Sequence, residues 1–130
     1  MTKEEIETHC QEIIGWLKDQ QPRMPKAYIG TVDVPVADWC HCSDDFMKIV
    51  IDNFNGLRVW FATCVDEYHN HECYPPWELR CALDYKCALL ANWKDVKKQI
   101  NDLIEERTAD INRTNEEEAR MCAKITEFQL

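Results

Sequence analysis

The first repeating apolar pattern along the chain predicts a helix near its start. Thr2 and Glu5 form the T-x-x-E capping box that marks a helix N-terminus. The helix is expected to run to about Asp19, because residues 20–26 contain two prolines and cannot continue it. Its apolar residues recur three or four positions apart and share one stripe: Ile6, Cys10, Ile13, Ile14 and Leu17.

Three β-rich runs follow and predict a small antiparallel sheet. Residues 27–35 alternate as a strand with one buried face does, and a terminal proline suits a sheet edge. Residues 46–53 and 57–64 flank Asn55-Gly56, a pair that accepts positive φ at both turn positions of a hairpin. A meander of about three antiparallel strands with this hairpin at its centre is expected.

Everything after Pro76 predicts helix, because no glycine or proline follows it. A helix over residues 77–111 would carry a continuous apolar stripe and would be about 52 Å long. A second capping-box pattern just after Asn112 predicts a break there. The last stretch carries further apolar residues: Ala119, Met121, Cys122, Ile125 and Phe128. A fold-back into a helical hairpin would bury them, and one uninterrupted rod is the alternative.

These elements predict an α+β fold. It comprises an N-terminal helix, the small sheet, and long C-terminal helices that form a helical hairpin. At 130 residues the chain fits one domain, spanning residues 1–130.

Part of the long helical stripe predicts self-association. A helix this long outruns a small domain and would expose an apolar patch, so we expect a homo-oligomer. The alternative is packing within one chain, against the first helix and the last. The expected interface follows the 4-3-4-3 spacing of a coiled-coil seam: Leu89, Trp93, Val96, Ile100 and Leu103.

The charge balance indicates the kind of partner. Fifteen basic and 24 acidic residues give a formal net charge of −9, which disfavours direct binding to nucleic acid and favours a protein with a basic surface. No run of about 18 apolar residues and no basic, apolar leader is present, so we expect a cytoplasmic protein without membrane contact. Its eight cysteines are then expected to be reduced.

Acidic and aromatic residues interleave in two segments beside the hairpin. Aromatics anchor and charges steer in protein interfaces, so this set predicts a face for a basic partner. The alternative is a solvated acidic rim whose aromatics turn into the core. The set comprises Asp38, Trp39, Asp44, Asp45, Asp66, Glu67, Tyr68, Tyr74 and Trp77.

The same two segments hold a cluster of cysteines and histidines. The hairpin should bring the two segments together at one end of the sheet. Thiolate and imidazole are the ligands zinc prefers, so a zinc site is one hypothesis and no other cofactor is expected. Its ligands would be Cys40, Cys42, His71 and Cys73. These spacings are tighter than the usual C-x₂₋₄-C pairs, so buried cysteines and solvated histidines are the alternative.

No catalytic motif indicates an enzyme. Cys64 with His69 or His71 is the nearest nucleophile and base pair, and no glycine-rich loop could stabilise an oxyanion beside it. We therefore expect a non-enzymatic, self-associating acidic protein that binds and blocks a protein partner. Small acidic proteins that phages and mobile elements direct against host defence enzymes are the analogous class.

Two alternatives have support in the residues. One is a zinc-stapled structural module. The other is a small-molecule or nucleotide binder with a pocket at a subunit interface. Cations for that pocket are available on the predicted helix: Arg80, Lys86, Lys94, Lys97 and Lys98.

Overall fold

The computed structural model describes residues 1–36, 46–64, 71–74 and 83–128. Their fold is α+β, as predicted. The element order is α1 (Lys3–Gln20), a 3₁₀ turn (Gln21–Arg23), β1 (Tyr28–Pro35), β2 (Phe46–Asp52), β3 (Arg58–Cys64), β4 (His71–Tyr74), α2 (Leu83–Ala91) and α3 (Trp93–Phe128).

Helix α1 confirms both its predicted cap and its predicted face. The Thr2 hydroxyl accepts a hydrogen bond from the backbone N of Glu5 at 3.2 Å, which satisfies one of the free N–H groups of the first turn. All five residues of the predicted stripe are buried. The helix ends at Gln20, one residue beyond the prediction, where the proline-containing 3₁₀ turn begins.

The strands form an antiparallel meander in the order β1-β2-β3-β4, with β1 at one edge as predicted. The central hairpin is confirmed: Asp52 pairs with Arg58 at its closed end, and Gly56 has a φ of 103° in the connecting loop. The short strand β4 was not predicted. It pairs with β3, with His71 opposite Cys64.

One face of the sheet belongs to the core. Val32 lies opposite Ile49 and Val34 opposite Met47, and all four are buried. Since side chains alternate along a strand, their neighbours point away, and on that side the Lys48 Nζ atom lies 4.0 Å from an oxygen of the exposed Asp33. Helix α3 packs against β1, and α1 packs against α2, so the helices share the buried side.

The break predicted at Asn112 was wrong, because α3 runs without interruption through it to Phe128. The hydroxyl of Thr114, the predicted cap residue, is bonded inside the helix instead. Thr114 donates its hydroxyl to the backbone oxygen of Asp110 at 3.0 Å, and Arg113 Nη2 bonds the carboxylate of the same residue at 2.7 Å. The expected fold-back is therefore replaced by the uninterrupted rod that was its alternative.

The stripe assigned to a subunit interface is part of the core of one chain. Leu89, Val96 and Ile100 are buried, while Trp93 and Leu103 are half-buried against the same cluster. All five residues contact one hydrophobic cluster, which also includes buried residues of the sheet and of α1. Leu89, Val96 and Ile100 are therefore covered within one chain, which is the alternative that the sequence left open, and the interface through this stripe stays a prediction.

Candidate interaction surfaces

Most residues of the predicted partner face and zinc site fall outside the described residues. Those outside are Asp38, Trp39, Cys40, Cys42, Asp44, Asp45, Asp66, Glu67, Tyr68 and Trp77. His71, Cys73 and Tyr74 are placed by their backbones on β4. Within the described ranges, no group of three or more potential metal ligands is assembled. Both sites stay predictions.

The strand pairing nevertheless shows where the two segments that hold the predicted sites leave and re-enter the sheet. Pro35, at the end of β1, pairs with Phe46, at the start of β2. Cys64, at the end of β3, pairs with His71, at the start of β4. All four positions lie at the same end of the sheet, so the chain leaves and re-enters it there in both segments.

The clearest surface feature is the C-terminal part of α3, residues 112–128, which we call the arm. Every residue of the arm is exposed, over about 25 Å of helix. Three of them are large and apolar: Met121 is 65 % exposed, Ile125 56 % and Phe128 92 %. The arm therefore carries an apolar stripe that the other described residues, which we call the body, leave uncovered.

The stripe of the arm prolongs the face of α3 that packs on the body. Positions seven residues apart lie on nearly the same side of a helix, with a drift of about 20° per step. Ile104 is buried in the core, Ile111 is half-buried, and Ile125 lies two further steps along the same row. The body and the apolar stripe of the arm are thus on the same side of α3.

Two polar contacts mark where α3 leaves the body. Arg107 Nε donates to the backbone oxygen of Tyr28 at 3.1 Å, and Arg23 Nη1 donates to Asn101 Oδ1 at 3.0 Å. The Tyr28 ring at this edge of β1 is 45 % exposed. The Tyr28 hydroxyl lies 2.6 Å from Thr31 Oγ1, three residues further along the chain.

Charges are unevenly distributed along the arm. The three consecutive acids Glu116, Glu117 and Glu118 lie nearer its base, and Arg120 and Lys124 follow toward its tip. An Arg120 nitrogen lies 4.0 Å from a Glu116 oxygen, so these residues are paired loosely along the helix. The arm presents an acidic half and a more basic half.

A second feature is a groove of about 320 Å³ between α1 and the junction of α2 with α3. The Trp16 and Trp93 rings meet edge to face with centroids 5.3 Å apart, and Lys97 Nζ lies 5.2 Å from the Trp16 centroid. At the rim, His9 Nδ1 is 3.1 Å from a Glu12 oxygen. The groove is lined by Met1, His9, Glu12, Ile13, Trp16, Leu90 and Trp93. It offers an apolar, aromatic wall with one carboxylate at its edge.

Sequence reasoning found the apolar stripe of the arm but placed it inside a helical hairpin. The groove was missed, although Trp16 follows the buried Ile13 by three residues and so flanks the same helical stripe. Among the described residues, no helix is long and apolar enough to cross a membrane.

Comparison with known proteins adds no further constraint. Neither a family model, nor a curated protein, nor a solved structure matches this chain. Its function must therefore be argued from its own surfaces.

Proposed function

We propose that this chain is a non-enzymatic interaction protein that self-associates through the arm. The supporting observation is the apolar stripe of Met121, Ile125 and Phe128 on the arm, in which every residue is exposed. An isolated helix of this length is marginal in water, and most helical stability comes from covering an amphipathic face. A second copy that covers the stripe would supply that stability.

The acidic composition supports a further protein partner. A net charge of −9 favours a partner with a basic surface and speeds its association. Blocking such a surface is the function proposed for the acidic and aromatic residues beside the hairpin. Self-association would present two copies of that face. Once the first face has bound its partner, the second face would be at a raised effective concentration.

The experiment compares one substitution on the stripe with one on the opposite side of the arm. Ile125→Glu places a charge on the apolar face, whereas Ala123→Glu adds the same charge about 160° away around the helix. Both positions are exposed, so neither change disturbs the core. Sedimentation equilibrium should show a concentration-dependent dimer for the wild type and Ala123→Glu, and a monomer for Ile125→Glu.

A wild type that stays monomeric at the highest attainable concentration would rule out self-association. A dimer that Ile125→Glu leaves intact would rule out the arm as its site. The partner is tested separately, by measuring whether capture of basic proteins weakens steeply with added salt, as charge-steered binding does.

A second candidate function is binding of a small ligand in the Trp16 and Trp93 groove. The aromatic wall and the Glu12 carboxylate fit an aromatic ring that carries an ammonium group. A nucleotide fits less well, because Lys97, the cation that could contact its phosphates, already lies against the Trp16 ring. This groove lies within one chain, unlike the pocket expected from the sequence.

Thermal shift with two matched probes tests the groove. Phenethylammonium should raise the melting temperature of the wild type, and phenylacetate, which has the opposite charge, should not. Glu12→Gln should remove the effect of the cation without lowering the melting temperature of the free protein. Equal effects of both probes, or none, would count against this candidate.

A further inference from the structure

We infer that two copies pair antiparallel through their arms, with Phe128 of each copy beside Ile111 of the other. This inference rests on the proposed self-association and specifies its geometry. It follows from the side of α3 on which the body lies, from the length of the arm and from the distribution of its charges.

The position of the body disfavours a parallel pair. In a parallel pair in register, the stripe side of α3 would meet the same side of the second copy along the whole helix. Over Val96, Ile100 and Ile104 that side is already covered by the body. Packed helix axes lie only about 8–10 Å apart, so two bodies would have to occupy one narrow gap.

An antiparallel pair places the two bodies at opposite ends. In heptad terms the seam of the arm consists of Ile111, Thr114, Glu118, Met121, Ile125 and Phe128. When the tip of one arm reaches the base of the other, Phe128 faces Ile111 and Ile125 faces Thr114. The pairing then ends just before Arg107, where α3 meets the body.

The end of this pairing brings apolar groups together. Phe128, the most exposed large apolar residue of the arm, lies beside half-buried Ile111. At the centre, Met121 meets Glu118 of the second copy, whose methylene groups can pack while its carboxylate reaches water. In this register residues 112–128 of one copy cover the exposed length of the other arm as far as the body.

Charge complementarity supports the same orientation. The seam residues occupy heptad positions a and d, with Ile111, Glu118 and Ile125 at position a. In an antiparallel pair the g positions of the two helices lie opposite one another, and in the arm these are Glu117 and Lys124. Twofold symmetry creates this acid and base pair twice. A parallel pair would instead place Glu117 beside Cys122, an uncharged thiol.

The experiment reverses one charge at a time. Glu117→Lys and Lys124→Glu should each weaken the homodimer about tenfold, because two attractive contacts become two repulsive ones. An equimolar mixture of these two variants should recover the dimer, since each mixed pair again joins an acid to a base. Arg120→Glu, a reversal on the outer side of the arm, is the matched control and should leave the dissociation constant within about twofold.

The outcomes separate the orientation from the self-association. Recovery in the mixture, measured by sedimentation equilibrium, supports the antiparallel pair. If Ile125→Glu abolishes the dimer but the charge reversals change nothing, or the mixture fails to recover, the antiparallel register is overturned and self-association through the arm stands. If the wild type is monomeric throughout, the proposed function itself fails.

Discussion

Leu103 on α3 lies directly over Gly30 on β1. A Cβ atom placed on the glycine would be 3.1 Å from both Cδ atoms of the leucine, closer than ordinary van der Waals contact. Gly30 also has a φ of 155°, a conformation that residues with side chains rarely adopt. The close approach seats the long helix on the edge strand and so determines the direction in which the arm projects.

Gly30→Ala should therefore destabilise the body. The added methyl must push Leu103 away and strain the backbone, at a cost of about 1–3 kcal/mol in the free energy of unfolding. Gly15→Ala is the matched control. Gly15 lies on the exposed face of α1, where an added Cβ would meet no described atom of another element within 4 Å, and the substitution should stabilise by about 0.5–1 kcal/mol because alanine favours helix. Urea unfolding followed by circular dichroism compares the two, and equal effects would contradict the packing described.

Two isoleucines on α3 test which part of its stripe belongs to the core. Ile100 is fully buried, and Ile100→Ala should cost about 2–5 kcal/mol. Ile125 lies on the arm, and Ile125→Ala should change the stability of the monomer by less than about 0.5 kcal/mol. Denaturant unfolding at low protein concentration measures both. If Ile100→Ala lowered the free energy of unfolding only slightly, Ile100 would lie at the surface and the original interface hypothesis would be restored.

Asp52 should make stability depend on pH at the closed end of the hairpin. The backbone N of Phe54 donates to its carboxylate at 2.9 Å and Arg58 donates at 2.7 Å, and together these bonds hold the pKa of Asp52 below its usual value despite partial burial. A lowered pKa stabilises the fold above the unfolded pKa of about 3.9, and this contribution is lost as pH falls through the folded pKa.

Asp52→Asn should therefore lower the free energy of unfolding by about 1 kcal/mol near neutral pH. As pH falls from about 4 through the folded pKa, its difference from the wild type should narrow, because the wild-type side chain then becomes neutral as well. Asp33→Asn is the control, since the exposed Asp33 only approaches Lys48 at 4.0 Å. This substitution should change the free energy of unfolding much less. A difference between Asp52→Asn and the wild type that stayed constant from pH 7 to pH 2 would contradict the role given to this carboxylate.

Local signals in the sequence predicted the body well. The cap at Thr2, the five-residue stripe of α1 and the Asn55-Gly56 turn each depend on residues close in sequence. Such features are fixed by helical period and turn chemistry, which can be read without knowing the rest of the fold.

Features that depend on distant contacts were not predictable in the same way. Strand β4 forms because His71 finds a pairing edge on β3, which its own short segment does not reveal. Asn112 carried a weak stop signal, and side-chain bonds inside the helix overrode it. The apolar period extends along all of α3, so it could not show that Ile100 would be covered and Ile125 left exposed.

Hydrogen exchange of the arm amides, followed by mass spectrometry, measures directly whether a second copy covers the arm. A projecting helix with no partner frays, so its amides exchange quickly, and a second copy that covers it slows them. We expect protection of residues 112–128 to rise as protein concentration passes from about tenfold below to about tenfold above the dissociation constant, while residues 96–104 stay protected throughout. Arm amides whose exchange is the same at every concentration would contradict this expectation.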